Sequence, residues 1–122
     1  LTRRSLIAAT AASTAALAAT RTIAAEPAAP SLKGKSILIT GASSGFGYVG
    51  ALHYARLGAR VFATMRNLPR AEASELAAAA KAEKLDITVL PLDVTHDAQV
   101  IKAVADAERM AGGALDVVIN NA

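Results

Sequence analysis

The sequence has no cysteine and few aromatic residues. The absence of cysteine excludes disulfides, thiolate metal ligands and thiol nucleophiles. Aromatic residues make up 3% of the chain, whereas hydrophobic residues make up 53%, and much of that fraction is alanine. With 122 residues, of which 19% are charged, the chain can bury a core and amounts to at most one ordinary domain.

Net positive charge is also missing from most of the chain. Residues 1–25 contain three arginines and no acidic residue, whereas ten Lys or Arg balance ten Asp or Glu from Glu26 onward. A nucleic-acid-binding protein would need a basic face on its folded part. We therefore expect no nucleic-acid partner.

Residues 1–25 have the layout of a secretory signal. Arg3 and Arg4 precede sixteen uncharged, alanine-rich residues, and small residues then allow cleavage after Ala24 or Ala25. The stretch TRRSLI resembles a twin-arginine signal. Sixteen helical residues would span about 24 Å, less than the roughly 30 Å hydrocarbon core, so we expect no stable membrane span. The prediction is export to the bacterial periplasm; the alternative is an inert tail on a cytoplasmic protein.

The rest of the chain is predicted to alternate between strands and helices after a proline-containing linker at 26–34. The predicted strands are Ser36–Thr40, Arg60–Met65, Ile87–Leu92 and Val117–Asn120. The predicted helices are Gly45–Leu57, Pro69–Lys84 and a third from Thr95 or His96, as its cap, to about Ala111. Strands that are continuous apolar runs indicate a sheet covered on both faces. The predicted fold class is therefore α/β, a doubly wound parallel sheet, with its first four strands in residues 35–122.

Three glycines mark the turn between the first strand and the first helix, in TGASSGFG. Gly41 follows the strand directly, where the chain must turn sharply and a Cβ would clash. Gly45 would allow close approach of a pyrophosphate, and Gly47 close packing of the helix on the strand. Ser43 and Ser44 can add hydroxyl donors to the free N–H groups of the helix N-terminus. The turn therefore predicts a phosphate site, and the alternative is a tight turn without a ligand.

Two glycine registers compete in this turn. GFGYVG matches GxGxxG literally, but it starts several residues after the strand and places Gly50 well inside the helix. The spacing Gly41-x3-Gly45-x-Gly47 fits a strand-to-helix turn better. A Walker P-loop is excluded because no Gly-Lys-Ser/Thr follows.

Three motifs resemble the short-chain dehydrogenase/reductase family. TGASSGFG resembles the family's TGxxxGxG cofactor loop, LDVT at 92–95 its Asp-Val pair, and INNA at 119–122 the first three residues of its Asn-Asn-Ala-Gly motif. The resemblance extends from Lys33 to Ala122 and implies a Rossmann-like sheet. The residues it implies for cofactor binding, together with Arg66, are Gly41, Ser43, Ser44, Gly45, Phe46, Gly47, Asp93, Val94, Asn120, Asn121 and Ala122.

The resemblance also assigns roles to the later motifs. Asp93 would accept a hydrogen bond from the adenine amino group. The side chains of Asn120 and Asn121 would brace the sheet, and the backbone up to Ala122 would line the adenosine ribose.

The end of the second strand predicts which nicotinamide cofactor is bound. A carboxylate there would accept the ribose hydroxyls and select NAD. Here Met65 occupies that position and Arg66 follows. An arginine can hold a 2′-phosphate with forked, charge-assisted hydrogen bonds. NADP(H) is therefore preferred over NAD(H); the alternative for Arg66 is a solvated loop charge.

The family's catalytic residues are absent from these 122 residues. The resemblance implies a Tyr with a Lys four residues later and a Ser, acting on a small carbonyl or alcohol substrate in a protein that is a homo-oligomer at full length. Tyr48 and Tyr54 are followed four residues later by Leu52 and Gly58 and lie on the first helix. We therefore assign no catalytic residue and no metal ligand.

The chain is interpreted as an N-terminal fragment of an exported, NADP(H)-dependent oxidoreductase. Two other functions stay open. A non-catalytic nucleotide-binding or sensor protein would keep the glycine turn without the Tyr-Lys pair. A sugar-nucleotide epimerase or dehydratase of a related branch usually has TGxxGxxG, one residue shorter before the second glycine than the spacing here.

Overall fold

The computed structural model describes residues 30–122, so the predicted signal and residues 26–29 of the predicted linker lie outside the described residues. The described chain alternates strand and helix in the predicted order. Its strands are β1 (Ser36–Ile39), β2 (Arg60–Met65), β3 (Ile87–Pro91) and β4 (Val117–Ile119). Its helices are α1 (Gly45–Arg56), α2 (Ala71–Glu83) and α3 (Asp97–Ala111).

The four strands form one parallel sheet in the order β3-β2-β1-β4. Ile37 of β1 lies opposite Val61 on one side and Val117 on the other. The chain runs outward from β1 to β3 and then returns to place β4 on the other side of β1. This reversal is the topological switch point of a doubly wound fold, and ligands bind there beyond the carboxyl ends of the strands. The predicted Rossmann-like fold class is confirmed.

The core lies on both faces of β1 and β2. Ile37 and Ile39 are buried in a cluster on one face with the alanines of α1 and with Leu76 of α2. Leu38, between them, is buried on the other face with Ala107 of α3. Successive strand residues point to opposite faces, so a run of apolar residues serves both layers.

Helix α2 begins two residues later than the sequence predicts. Arg70 is its N-cap, with an extended backbone at φ −151° and ψ 159°, so Pro69 lies outside the helix. His96 is the N-cap of α3, as predicted, but its side chain makes no capping hydrogen bond. The Nδ1 atom of His96 lies 3.4 Å from a carboxylate oxygen of Asp93 instead.

Strand β4 is the short edge strand next to β1, and its apolar side chains are partly uncovered. Val117 and Val118 are 42% and 50% exposed. Before the strand begins, Asp116 Oδ2 accepts hydrogen bonds from the Ser36 backbone N–H at 2.8 Å and from the Ser36 hydroxyl at 3.3 Å.

Among residues 30–122, no helix has the length and apolar character needed to cross a membrane.

Candidate functional site

Two of the three turn glycines are required by their surroundings. Gly41 has φ +65°, and a Cβ there would lie 2.8 Å from the Cα of Ala122. A Cβ on Gly47 would run into the carbonyl oxygen of Gly41 and would lie 2.7 Å from Nδ2 of Asn121. Both glycines therefore allow the turn to lie directly against the chain that follows β4. A Cβ on Gly47 would also lie 3.0 Å from the Cα of Ala42, so this glycine in addition keeps α1 close to the chain that leaves β1.

The third turn glycine borders open space. Gly45 has φ +56°, and no atom lies within 4 Å of the Cβ that a side chain would add. It begins α1, whose N-cap is Ser44 and whose first turn has no acidic residue. The first N–H groups of a helix have no acceptor within the helix and carry a partial positive charge. The turn can therefore take an anion at this point without repulsion from a carboxylate in that helical turn.

The chain after β4 is attached to the end of β1 by one hydroxyl. Thr40 Oγ1 accepts hydrogen bonds from the backbone N–H groups of Asn121 at 2.9 Å and Ala122 at 3.1 Å, and it lies 3.4 Å from the Ile119 carbonyl oxygen. Asn121 Nδ2 also donates to the Gly41 carbonyl oxygen at 3.1 Å. The Asn121 side chain therefore contacts the glycine turn, whereas the predicted role of both asparagine side chains was to brace the sheet; Asn120 is exposed next to it.

Asp93 follows β3 with its carboxylate partly shielded. Its Oδ1 accepts from the Thr95 hydroxyl at 2.7 Å and from the Thr95 backbone N–H at 3.0 Å. The hydroxyl bond is the largest cause that holds the pKa of Asp93 below its usual range. The group is therefore ionised at neutral pH and can only accept hydrogen bonds. That property suits the amino group of an adenine ring.

One cavity of about 430 Å³ lies beyond the carboxyl ends of the strands. Ten of the twelve predicted cofactor residues line it; Gly47 is buried beneath it and Asn120 is outside it. The ten are Gly41, Ser43, Ser44, Gly45, Phe46, Arg66, Asp93, Val94, Asn121 and Ala122. Leu92 and Thr95 also line it. Sequence reasoning did not assign these two residues to the site, although the LDVT motif that contains them was the available signal.

The end of β2 presents a cation and no carboxylate to this cavity. Met65 is 1% exposed and belongs to the core, so the position predicted for an acid is apolar. Arg66 is exposed and lines the cavity. Arg60, at the other end of the same strand, pairs with Asp86 at 2.9 Å, as a surface residue does.

A second cavity of about 440 Å³ lies at the amino ends of the strands. It contains none of the twelve predicted residues. Three charged residues line it, and two of them are engaged with neighbours: Asp116 binds Ser36, and Arg60 binds Asp86. The cavity at the carboxyl ends is therefore the candidate site, although it is not the larger one.

The two tyrosines of α1 contribute to the core of the described chain. Tyr48 and Tyr54 are half-buried and pack against the core cluster beneath α1. No group of three or more His, Asp or Glu side chains in residues 30–122 could hold a metal ion.

A parallel sheet with helices on both faces, a glycine turn after its first strand and a cavity at the switch point define the Rossmann-like class. A profile described as "short chain dehydrogenase" matches residues 35–122. The chain belongs to the short-chain dehydrogenase family.

Individual relatives agree with this assignment. An uncharacterized oxidoreductase of Myxococcus xanthus is 41% identical over 88 residues, which are 72% of this chain and 34% of that protein. A gluconate 5-dehydrogenase from Burkholderia cenocepacia, solved in complex with NADP and tartrate, has TM-score 0.64 and 34% identity over 75% of this chain and 35% of its own. A hydroxysteroid dehydrogenase from Escherichia coli has TM-score 0.69 and 26% identity over 75% of this chain and 38% of its own. The chain thus spans about a third of the length of these relatives.

Proposed function

We propose that the whole protein is an NADP(H)-dependent oxidoreductase that transfers hydride between the nicotinamide and a carbonyl or alcohol carbon of a small substrate. Residues 35–122 would hold the adenosine half of the cofactor. The observation that carries the proposal is the single cavity in which the glycine turn, Asp93 and Arg66 meet.

The pyrophosphate would lie at the N-terminus of α1. The N–H groups of the first helical turn and the hydroxyls of Ser43 and Ser44 are the donors available there. Open space at Gly45 leaves room for phosphate oxygens next to the backbone. The first turn of α1 has no acidic residue, so no carboxylate opposes the partial positive charge of the helix N-terminus, which supports an anionic ligand.

The adenine would lie across the end of β3. The ionised carboxylate of Asp93 would accept a hydrogen bond from the amino group of the ring. Its neighbours in the sequence, Leu92 and Val94, also line the cavity and would supply apolar contacts to the ring. Val94 is 47% exposed, so an apolar surface is available to the ring. Burial of that surface under a flat ring would be favourable.

The 2′-phosphate would lie against Arg66, and this contact provides the test of the cofactor. In the full-length protein, we expect Arg66→Gln to weaken binding of 2′,5′-ADP by about 10- to 100-fold, because charge-assisted hydrogen bonds worth about 1.5–3 kcal/mol are lost. Binding of 5′-ADP, which has no 2′-phosphate, should stay within about twofold. Isothermal titration calorimetry with both compounds measures the two affinities.

The matched control is Arg60→Gln, which removes an arginine from the opposite end of the same strand. It should leave both affinities unchanged. Equal affinity of the unmodified protein for the two compounds would contradict the NADP(H) assignment, and binding of neither would contradict the assignment of the cavity.

A non-catalytic sensor protein is the second candidate, because the glycine turn and the cavity of residues 35–122 would account for nucleotide binding alone. NADPH oxidation by the full-length protein, followed at 340 nm with a panel of aldehydes and ketones, separates the two candidates. Turnover supports the oxidoreductase. Tight NADPH binding without turnover, in a chain whose further sequence lacks the Tyr-Lys pair, supports the sensor.

Export by the twin-arginine route is part of the proposal and rests on the sequence of residues 1–25. We expect Arg3→Lys combined with Arg4→Lys to abolish periplasmic accumulation of a fused reporter, because that route reads the arginine pair as an address. Arg21→Lys is the control and should leave export unchanged. Equal export of both variants would contradict the twin-arginine route.

A further inference from the structure

Arg70, the last residue of the connection between β2 and α2, makes hydrogen bonds to both ends of that connection. Arg70 Nη1 donates to the carbonyl oxygen of Arg66 at 3.2 Å. The same guanidinium donates to both carboxylate oxygens of Glu72, from Nε at 2.8 Å and from Nη2 at 3.3 Å. The side chain of Arg70 thus joins the start of the connection to the first turn of α2.

The rest of the connection is also fixed. Met65 before it is 1% exposed. Asn67 has φ +56°, a left-handed conformation that asparagine tolerates better than most residues. Leu68 packs against the core cluster beneath α1 and α2. With the backbone restrained on both sides, the part of Arg66 left free to move is its exposed side chain.

The charge of Arg70 is matched by Glu72. The side chains of the pair are 27% and 39% exposed, and the hydrogen bond from Arg70 is the main cause that holds the pKa of Glu72 below its usual range. Glu72 therefore keeps its charge at neutral pH. Arg70 does not line the cavity, whereas Arg66 does.

We propose that Arg70 and Glu72 form a positioning pair that presets Arg66 for a ligand carrying a 2′-phosphate. Arg70 fixes the Arg66 carbonyl, and Glu72 fixes Arg70 by occupying two of its donors. The pair would thereby determine specificity for the phosphorylated cofactor without contacting it. The inference rests on the proposed function of the cavity and names two residues that set its selectivity.

The expected size of the effect follows from preorganisation. If the connection were free, binding would have to order it together with the long side chain of Arg66. The side chain must be ordered with or without Arg70, so the expected difference is the partial ordering of the backbone of the connection, which weakens binding by about 3- to 10-fold. A residue that only stabilised the fold would affect phosphorylated and unphosphorylated ligands alike.

The test compares 2′,5′-ADP with 5′-ADP in the full-length protein. We expect Arg70→Gln to weaken binding of 2′,5′-ADP by about 3- to 10-fold and to leave 5′-ADP within about twofold. Arg70→Lys retains the charge but lacks the planar fork that reaches Glu72 and the carbonyl together. It should therefore behave like Arg70→Gln, and full rescue by lysine would overturn the positioning role.

A matched control exists at the other end of α2. Arg56 makes the same two-bond pair with Glu83, at 2.8 Å and 2.8 Å, away from the cavity. Arg56→Gln should leave the ratio of the two affinities unchanged. A drop in that ratio as large as that of Arg70→Gln would show a general effect of losing an ion pair and would overturn the inference.

Glu72→Gln distinguishes positioning from direct binding. If the pair positions Arg66, this variant weakens 2′,5′-ADP binding as Arg70→Gln does. If Glu72 instead holds Arg70 away from the phosphate, the freed arginine strengthens binding, and that result overturns the inference. Full retention of the preference in Arg70→Gln overturns the inference alone, whereas failure of the unmodified protein to bind either compound overturns the proposed function as well.

Discussion

Replacement of Gly47 by alanine is expected to destabilise the protein by about 1–3 kcal/mol and to weaken nucleotide binding by at least about tenfold. The added methyl group would collide with the Gly41 carbonyl oxygen and would lie 2.7 Å from the Asn121 amide nitrogen and 3.0 Å from the Ala42 Cα. Two of these three atoms are backbone, so a rotamer change cannot relieve the contact. Helix α1 would have to move away from the turn, and the donors at its N-terminus would move with it.

The control for this variant is the same substitution one helical turn further on. A Cβ on Gly50 would lie 3.5 Å from the Tyr54 ring and 3.9 Å from Cδ1 of Ile39, which are ordinary contacts. Gly50→Ala should stabilise the protein by about 0.5–1 kcal/mol, because alanine is the better residue in a helix.

Chemical denaturation and titration with 2′,5′-ADP measure both effects in the full-length protein. Similar stability changes for Gly47→Ala and Gly50→Ala would contradict the contact described for Gly47. Gly50→Ala should leave the affinity for the nucleotide unchanged.

Thr40→Val is expected to weaken nucleotide binding by about tenfold and to destabilise the protein by about 1–3 kcal/mol. Thr40 is 5% exposed, and its hydroxyl is the acceptor for the backbone N–H groups of Asn121 and Ala122. Valine has the same shape but no acceptor. The two N–H groups would lose their partner, and the Asn121 amide would be left as the side-chain link between this wall of the cavity and the glycine turn.

Thr64→Val is the matched control on the neighbouring strand. Thr64 is fully buried and donates one hydrogen bond, to the Ile39 carbonyl oxygen at 2.8 Å. Its loss should cost about 1 kcal/mol in stability without any change in nucleotide affinity. Thermal unfolding and calorimetric titration separate the two effects. Unchanged affinity in Thr40→Val would contradict the role of its hydroxyl in the cavity wall.

The strands and the glycine turn could be predicted from the sequence because their signals are local. The strand Ser36–Ile39 is buried at every position and apolar at all but its first, as expected in a sheet that is covered on both faces. Gly41 and Gly45 both have positive φ, which is the conformation that favours glycine. In each case, the residues of one short segment are enough to explain the conformation of that segment.

The contacts that assemble the site could not be predicted in the same way. Thr40 is an ordinary strand-end residue in the sequence, and its hydrogen bonds reach residues 81 and 82 positions away. The link from Arg70 to the Arg66 carbonyl depends on how the connection between β2 and α2 bends. The sequence likewise predicts His96 as the cap of α3 but does not predict that its side chain lies beside Asp93 and makes no hydrogen bond to the helix.

The position of β4 has a consequence for the order of folding. The pairs β1–β2 and β2–β3 each close across a single helix, whereas the pair β1–β4 joins residues that are 80 or more positions apart. The entropy lost on closing a loop grows with its length, so we expect β1–β4 to be the last of the three pairings to form. The glycine turn can therefore form together with α1, whereas the wall of the cavity that faces it forms only when β4 pairs with β1.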